Sequence, residues 1–464
     1  MELSNIKLSY EQKNIFEKYL KGENIFLSGP GGSGKSELIR VIYNDAISKH
    51  KNIQVTALTG CAAVLLNCRA TTLHSWAGIG LGKGHVDTYV RKIRQRPYAR
   101  RAWCDTEILI VDEVSMMSED LFDTLNGIGK RIRSSNSAFG GIQLIFSGDF
   151  YQLPPVGDKE CPETTRFCFE SGEWLNTFPK ENHNMLTKIF RQSDNEYCNI
   201  LNQIRVGRIK RKSIEILQNQ VNKPMGKTTK ETIIPTKLLP VKYLVDNINK
   251  SEITRLDENE HVYKLSYTYK SDKYNMESKL PKEINNEAQF MASNLMCNKT
   301  LVLKVGAQVM SVVNKKSDDG KELILCNGSR GVVTGFCSIT DYPIVKFNNG
   351  LERIITENIW ENEKNNELTI SQIPLILAWA LTIHKSQGCT LDRAEINIGS
   401  NIFECGQSYV ALSRVKSLEG LYLTDFDYQK IKVNTKVIEF YNKMTPTAAT
   451  ASATATTASA TATK

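Results

Sequence analysis

Eight residues near the amino terminus, Gly29-Pro30-Gly31-Gly32-Ser33-Gly34-Lys35-Ser36, carry the spacing G-x-x-x-x-G-K-[ST]. Glycines in such a loop let consecutive backbone N–H groups turn inward around phosphate oxygens. The helix expected after the loop, Glu37 to Ser48, adds the partial positive charge of its N-terminus. Lys35 is then placed to neutralise β/γ-phosphate charge, and the Ser36 hydroxyl to hold Mg²⁺. A second chemical element follows: the apolar run Ile108-Leu109-Ile110-Val111 ends in Asp112-Glu113. Asp112 suits a carboxylate that holds Mg²⁺ through water, and Glu113 one that orients or deprotonates an attacking water. The bland alternative, two acids in a solvated turn, loses ground once the pair follows a phosphate loop. A third is Gln152 in Ser147-Gly148-Asp149-Phe150-Tyr151-Gln152-Leu153-Pro154-Pro155. Its amide both donates and accepts, which suits a γ-phosphate sensor; it also suits a structural glutamine in a proline-stiffened loop.

These groups need a frame. Short apolar runs at Asn24–Ser28, Ile53–Leu58, Glu107–Val111 and Gln143–Ser147 alternate with amphipathic stretches, the signature of an α/β domain with a largely parallel sheet. The chemical residues fall at the carboxyl ends of those strands, where such folds collect function. The expected organisation is a first domain over 1–185, a second α/β domain over 186–300 that resumes over 372–444, and a small all-β insert over 301–371. Asn327-Gly328 and Asn348-Asn349-Gly350 are hairpin signals within the insert. The polar stretch 252–300 shows no readable period. Residues 445–464 are nearly all Thr, Ala and Ser and are expected to be a disordered tail.

Composition sets the outer bounds. The chain has 464 residues, 41% hydrophobic and 23% charged, which excludes fibrous and wholly disordered classes. No apolar run approaches the ~20 residues a bilayer needs, so no membrane partner is expected, and the first residues lack a secretory pattern. The 11 cysteines are scattered; the closest pairs, Cys61/Cys68 and Cys161/Cys168, are too loose for a metal knuckle. No structural metal is expected, and reduced thiols point to an intracellular protein. A net charge of +9 permits nucleic-acid binding without establishing it.

The ordered set of motifs resembles the Pif-type (petite integration frequency) family of superfamily-one DNA helicases. Leu8-Ser9-Tyr10-Glu11-Gln12 resembles the adenine-reading Q motif. Thr59-Gly60-Cys61-Ala62-Ala63 and Thr72-Leu73-His74-Ser75-Trp76-Ala77-Gly78 resemble the strand-contacting motifs Ia and Ib, and Phe122-Asp123 through Arg131 and Arg133 the family's signature helix. In the second half, Leu186 to Gln192 resembles motif IV, Ala380 to Gly388 motif V and Tyr409 to Arg414 motif VI. Leu303 to Met310, with Asn327-Gly328-Ser329 and Gly331, resembles the start of the family's β-barrel insert. The matches span most of residues 8–425.

The resemblance implies two RecA-like P-loop domains that sandwich ATP, with parallel sheets and a small β-barrel insert in the second. It implies an ATP set of Gln12, Gly29, Gly31, Gly32, Ser33, Gly34, Lys35, Ser36, Gln387 and Gly388, and arginine fingers at Arg191 and Arg414. A guanidinium suits that role, being planar, permanently charged and bidentate. Ser9 and Gln12 also read as a capping box, so Gln12 serves the helix cap, the adenine edge, or both. Single-stranded DNA would run across both domains past Thr59, His74, Thr382, His384 and Ser386, with Phe150 an aromatic candidate. The histidines also read as ordinary structural residues, and Trp76 and Trp379 as core. The run Arg91 to Arg101 carries six basic residues and no acid; it is either a phosphate-contacting surface or a solvated helix face. The implied activity is an ATP-dependent helicase moving 5′-to-3′ on single-stranded and forked DNA, in replication, repair, recombination or telomere maintenance. Three other readings stand beside it. A RecD-like motor inside a nuclease complex would be marked by co-purifying subunits or degraded strands. An ATP-gated nucleic-acid clamp would show DNA-stimulated hydrolysis without strand separation. A small-molecule P-loop kinase would have no use for motifs V and VI.

Overall fold

A computed structural model of the chain describes residues 8–444 apart from 67, 81–84, 158–160, 162–163, 193, 225–233, 270–283, 286–287, 290, 293–294, 296, 314, 317–322, 326–327, 349 and 363–364. The expected tail and the turn residues Asn327 and Asn349 therefore lie outside the described residues.

The first lobe is a six-stranded parallel sheet. Its strands are β1 (Ile25–Ser28), β2 (Ile53–Ala57), β3 (Thr71–Thr72), β4 (Ile108–Asp112), β5 (Gln143–Ser147) and β6 (His183–Met185), in the order β3-β2-β4-β5-β1-β6. Every residue of β1 and β4 is buried, as expected where helices cover both faces of a parallel sheet. One face packs against α1 (Tyr10–Leu20), α2 (Lys35–Ser48) and α3 (Gly60–Leu66), through Ile15, Leu38, Ile42, Ala62 and Leu66. The other carries α4 (Leu73–Ala77), α5 (Val86–Gln95), α6 (Pro97–Asp105) and α7 (Glu119–Ile132), with Trp76, Ile93, Trp103 and Phe122 in its core. The order brings the carboxyl ends of β1, β4 and β5 side by side, so the phosphate loop, the acid pair and the Gln152 loop emerge together.

The second lobe has a four-stranded parallel sheet, in the order Ala380–Thr382, Thr236–Leu239, Ala394–Ile398, Leu421–Phe426. Its core runs on into a five-stranded antiparallel sheet of Glu352–Ile354, Pro343–Phe347, Arg330–Phe336, Gln308–Ser311 and Leu375–Leu377. Among the described residues these five strands pair in a line. The stretch without a readable period contributes two strands: His261–Lys264 pairs with Thr300–Leu303, and Ser266–Tyr269 with Asn365–Gln372. Both are four residues long and neither has a fully buried residue, which is why no apolar run marks them. The helix Thr435–Met444, expected to close the second domain, instead packs on the first lobe. Val437 and Tyr441 enter its core, and the Phe440 ring stacks on Phe169 at 4.4 Å.

Candidate nucleotide site and strand path

The phosphate loop owes its shape to two glycines in the left-handed region. Gly32 has φ +83°, and a Cβ there would lie 2.4 Å from the Arg191 Cβ; Gly34 has φ +87°, and a Cβ there would lie 2.8 Å from Gln12 Nε2. Only glycine lets the loop turn while the second lobe and α1 approach this closely. α2 begins at Lys35, directly after Gly34. The Lys35 ammonium folds back over the loop, donating to the carbonyls of Gly29 (2.7 Å) and Pro30 (3.1 Å).

Around this loop is a cleft of about 550 Å³, within the ~300–1,000 Å³ typical of small-ligand sites. Gly31, Gly32, Ser33, Gly34, Lys35, Ser36, Asp112, Glu113 and Gln152 line it from the first lobe, and Arg191, Gly388 and Arg414 from the chain beyond. Gly29, Gln12 and Gln387 were expected in the set but do not line it. Gln12 is buried and doubly engaged. Its Oε1 accepts from the Ser9 N–H (2.9 Å) in the capping box, and its Nε2 donates to the Gly34 carbonyl (3.2 Å). The glutamine thus ties the start of α1 to the phosphate loop. Sequence reasoning missed Phe190, whose ring is 53% exposed and lines the cleft while its N–H donates to the Gly32 carbonyl (2.8 Å). A large aromatic inside motif IV was the available signal.

The charges around the loop suit a polyanion. Burial pulls the Lys35 ammonium below its ordinary range. Arg191 is brought down to about 9, first by burial and then by the neighbouring Arg414, and burial lowers Arg414 too. Three crowded, desolvated cations gain most from a polyphosphate, which supplies opposite charge and bidentate acceptors. Beside Lys35 on the first lobe, burial raises Asp112, and Glu113 is pushed up to about 7 by burial and by Asp112 next to it. Glu113 sits at φ +57°, a strained backbone for a residue with a Cβ and one that concentrates at functional sites. The Ser33 Oγ and Gln152 Oε1 atoms are buried with no hydrogen-bond partner among the described residues. The Ser36 hydroxyl and Asp112 carboxylate form a hard oxygen donor pair of the kind Mg²⁺ takes. Donors, orphaned oxygens and glycine cradle all fit a magnesium–triphosphate.

The two arginines come from the far side of the cleft. A Cβ on Gly31 would lie 3.4 Å from Arg414 Nη2 and 3.6 Å from Arg191 Nη1. Arg414 is 2% exposed and oriented by its neighbours: Nε donates to the Val410 carbonyl (3.0 Å) and Nη2 to Ser413 Oγ (2.7 Å). Arg191 Nη1 and Gln192 Nε2 share the Ser413 carbonyl at 3.4 and 3.2 Å. Tyr409, one helical turn earlier, accepts the Gly31 N–H at 2.9 Å. Beneath them Asp149 takes a bidentate bond from Arg205 at 2.8 and 2.9 Å. Arg205 lies against the stacked rings of Tyr151 and Tyr441, its guanidinium carbon 4.6 and 5.4 Å from their centroids. Burial opposes its charge, but Asp149 outweighs burial and the guanidinium is held above its ordinary value. The Tyr441 hydroxyl meets Ser28 at 2.6 Å and accepts from the Phe150 N–H at 3.0 Å. Neither Arg205 nor Tyr441 carries a local sequence signal, because each matters only through partners more than 50 residues away.

The expected strand path is only partly accessible. Thr59 and His74 are half-buried on the first lobe and His384 on the second, with both imidazoles below their ordinary value because of burial. Thr382 and Ser386 are buried. The Thr382 hydroxyl caps the following turn by accepting the Lys385 N–H (3.1 Å), and Ser386 donates to the Ile383 carbonyl (2.8 Å). Phe150 must be withdrawn as a stacking platform. It is 1% exposed and enclosed by Phe26, Phe167, Phe169, Trp174 and Phe440. Trp76 packs against Trp103 at 4.5 Å, and Trp379 is buried in the second core. No helix among the described residues is long and apolar enough to cross a membrane.

The family model described as PIF1-like helicase matches residues 7–215, and that of the DNA helicase Pif1 2B domain matches 289–336. The human ATP-dependent DNA helicase PIF1 is 37% identical over 438 residues; the match covers 94% of this chain and 63% of that protein's length. A crystal structure of Pif1 helicase from Candida albicans superposes with a TM-score of 0.75 at 36% identity, over 95% of this chain and all of that one. A structure of Bacteroides Pif1 bound to single-stranded DNA gives 0.62 at 29% identity, over 95% and 97%.

Proposed function

As the chain belongs to the PIF1-like helicase family, we propose that it is an ATP-dependent DNA helicase that steps along single-stranded DNA and opens forked duplexes, moving 5′-to-3′. The observation that carries this reading is the meeting of Lys35 from one lobe with Arg191 and Arg414 from the other across the Gly31 loop. The two lobes act as RecA-like domains around the nucleotide.

Loop N–H groups and Lys35 bind the β- and γ-phosphates. Ser36 and Asp112 would hold Mg²⁺, which screens phosphate charge when bound. Glu113 accepts a proton from the attacking water, and its raised pKa suits an acceptor working near neutral pH. Gln152 orients that water through its unengaged carbonyl oxygen. Arg191 and Arg414 neutralise charge on the transferring phosphoryl group, so hydrolysis requires the lobes to be closed. Thr59, His74 and His384 lie on the two lobes whose separation changes, so each turnover displaces one set of strand contacts relative to the other.

The decisive experiment is unwinding of partial duplexes carrying either a 5′ or a 3′ single-stranded tail, with Mg·ATP. Opening of the 5′-tailed duplex alone is expected. DNA-stimulated hydrolysis with neither duplex opened would replace the helicase reading with a clamp.

A further inference from the structure

Helices α5 and α6 carry a surface that neither the cleft nor the strand path uses. Arg91, Lys92, Arg94, Arg96, Arg100 and Arg101 are all exposed, within eleven residues that contain no acid. This one run holds six of the charges behind the chain's net +9. The fold does not call for them: α5 is anchored by Tyr89, Val90 and Ile93, and α6 by Ala99 and Trp103. Two carboxylates flank the run at four residues' distance, Asp87 before it and Asp105 after it; Asp87 is already paired with Arg131 of α7 at 3.3 Å. Among the described residues no carboxylate pairs with Arg91, Lys92, Arg96, Arg100 or Arg101. Like charges spaced three and four apart on a helix repel, so in the isolated protein this ridge carries unrelieved repulsion that a polyanion removes.

Its position names the polyanion. α6 packs directly on α4, which bears His74: the Trp103 indole donates to the Ala77 carbonyl at 3.1 Å, and a Cβ on Gly78 would touch the Ala99 Cβ at 3.2 Å. The ridge is thus rigidly attached beside the strand path. We propose that the exposed face of α5 and α6 docks the phosphate backbone of duplex DNA next to that path. Double-stranded rather than single-stranded DNA follows from what the face lacks. Single-strand sites join a basic groove to stacking rings, whereas of the three aromatics on these helices Tyr89 and Trp103 are buried and only Tyr98 reaches solvent. Charge without rings is enough for sequence-independent contact with a duplex backbone. The ten residues of α5 extend ~15 Å, opposite about four phosphates of one strand.

The inference rests on the DNA-binding reading, but its test is separate from helicase activity. The full chain and a variant with Arg91→Gln, Lys92→Gln, Arg96→Gln and Arg100→Gln are titrated against a labelled blunt duplex and a single strand of equal length, over a range of salt. Duplex affinity should fall about tenfold or more, and the salt slope should drop by about 3.6, at ~0.9 for each of four lost phosphate contacts. Single-strand affinity should be unchanged. Equal duplex binding by both proteins would make the ridge a solvated face, and an equal loss on both DNAs would assign it to the single-strand path; either overturns the proposal. A companion variant, Arg91→Lys with Arg96→Lys and Arg100→Lys, keeps the charge and must bind duplex like the parent; if it loses binding as well, packing and not charge is at work and the proposal fails. If the parent protein binds duplex through the ridge yet unwinds nothing, the helicase reading falls and this one stands.

Discussion

Asp149 and Arg205 form a bidentate ion pair across the junction of the two lobes, with the carboxylate wholly buried and the guanidinium nearly so. Asp149 follows β5 of the first sheet, and Arg205 ends a helix, Asn195–Arg205, whose Tyr197, Ile200 and Ile204 belong to the second core. Removing one partner strands a charge, which costs about 3–5 kcal/mol at a buried pair, whereas replacing both with apolar groups is often neutral. Asp149→Leu alone should lower stability in urea by that amount, and Asp149→Leu with Arg205→Met should recover most of it. Additive losses would show that the pair contributes no coupling.

Lys35→Ala should abolish ATP turnover and strand separation together, since among the described residues no other ammonium reaches the loop carbonyls that Lys35 spans. Retained ATPase in a steady-state assay would remove the phosphate-loop assignment.

Arg414→Met preserves length and removes charge. Turnover should fall ~10³-fold or more, as expected if it serves as an arginine finger, with KM for ATP changing only a few-fold. Because burial already disfavours this guanidinium, the nucleotide-free variant should melt no lower than the parent. An equal loss in kcat and in nucleotide affinity would count against a finger.

Phe190 offers an exposed ring beside Gly34. Base stacking on such a ring contributes about 1–3 kcal/mol, so Phe190→Ala should raise KM for ATP about tenfold and leave binding of inorganic tripolyphosphate unaltered. If both ligands weaken alike, the ring shapes the loop and does not touch the base.

His183 donates from Nε2 to the Phe178 carbonyl at 2.9 Å and packs edge-on against Phe26. Burial is the main reason its pKa lies below the ordinary value. The unfolded chain therefore binds this proton more readily than the folded one. The contribution to stability is complete above ~6.5, the unfolded value, and is lost as pH falls below it. Denaturant midpoints at pH 7.5 and 5.5 should differ less in His183→Phe than in the parent; parallel shifts would mean that the imidazole plays no part.

The nucleotide half of the site was legible because its chemistry is local. Glycine spacing, an apolar run ending in acids and a proline-stiffened glutamine loop each declare themselves within ten residues, and the strand order brings them together. Arg191 and Arg414, which reach the Gly31 loop, were singled out only through resemblance, since nothing beside them in the chain distinguishes them from surface cations. Phe150 misled because burial is a property of the assembled lobe: an aromatic after a strand end looks available until Phe167, Trp174 and Phe440 close over it. Ser386 and Thr382 erred similarly, with their hydroxyls turned to local backbone. The Tyr441 contacts lay beyond reach altogether, because Ser28 is 413 residues away.

Among the described residues the chain runs from one lobe to the other and back. After β6 it crosses to the second core before Asn195, and after Leu421–Phe426 it crosses back so that Thr435–Met444 seats on the starting lobe. The second lobe is therefore strung between two anchorages, like a gate on a pair of pins. Any parting of the halves must bend both crossings at once, which favours a swing about the line joining them and resists sliding or free twist.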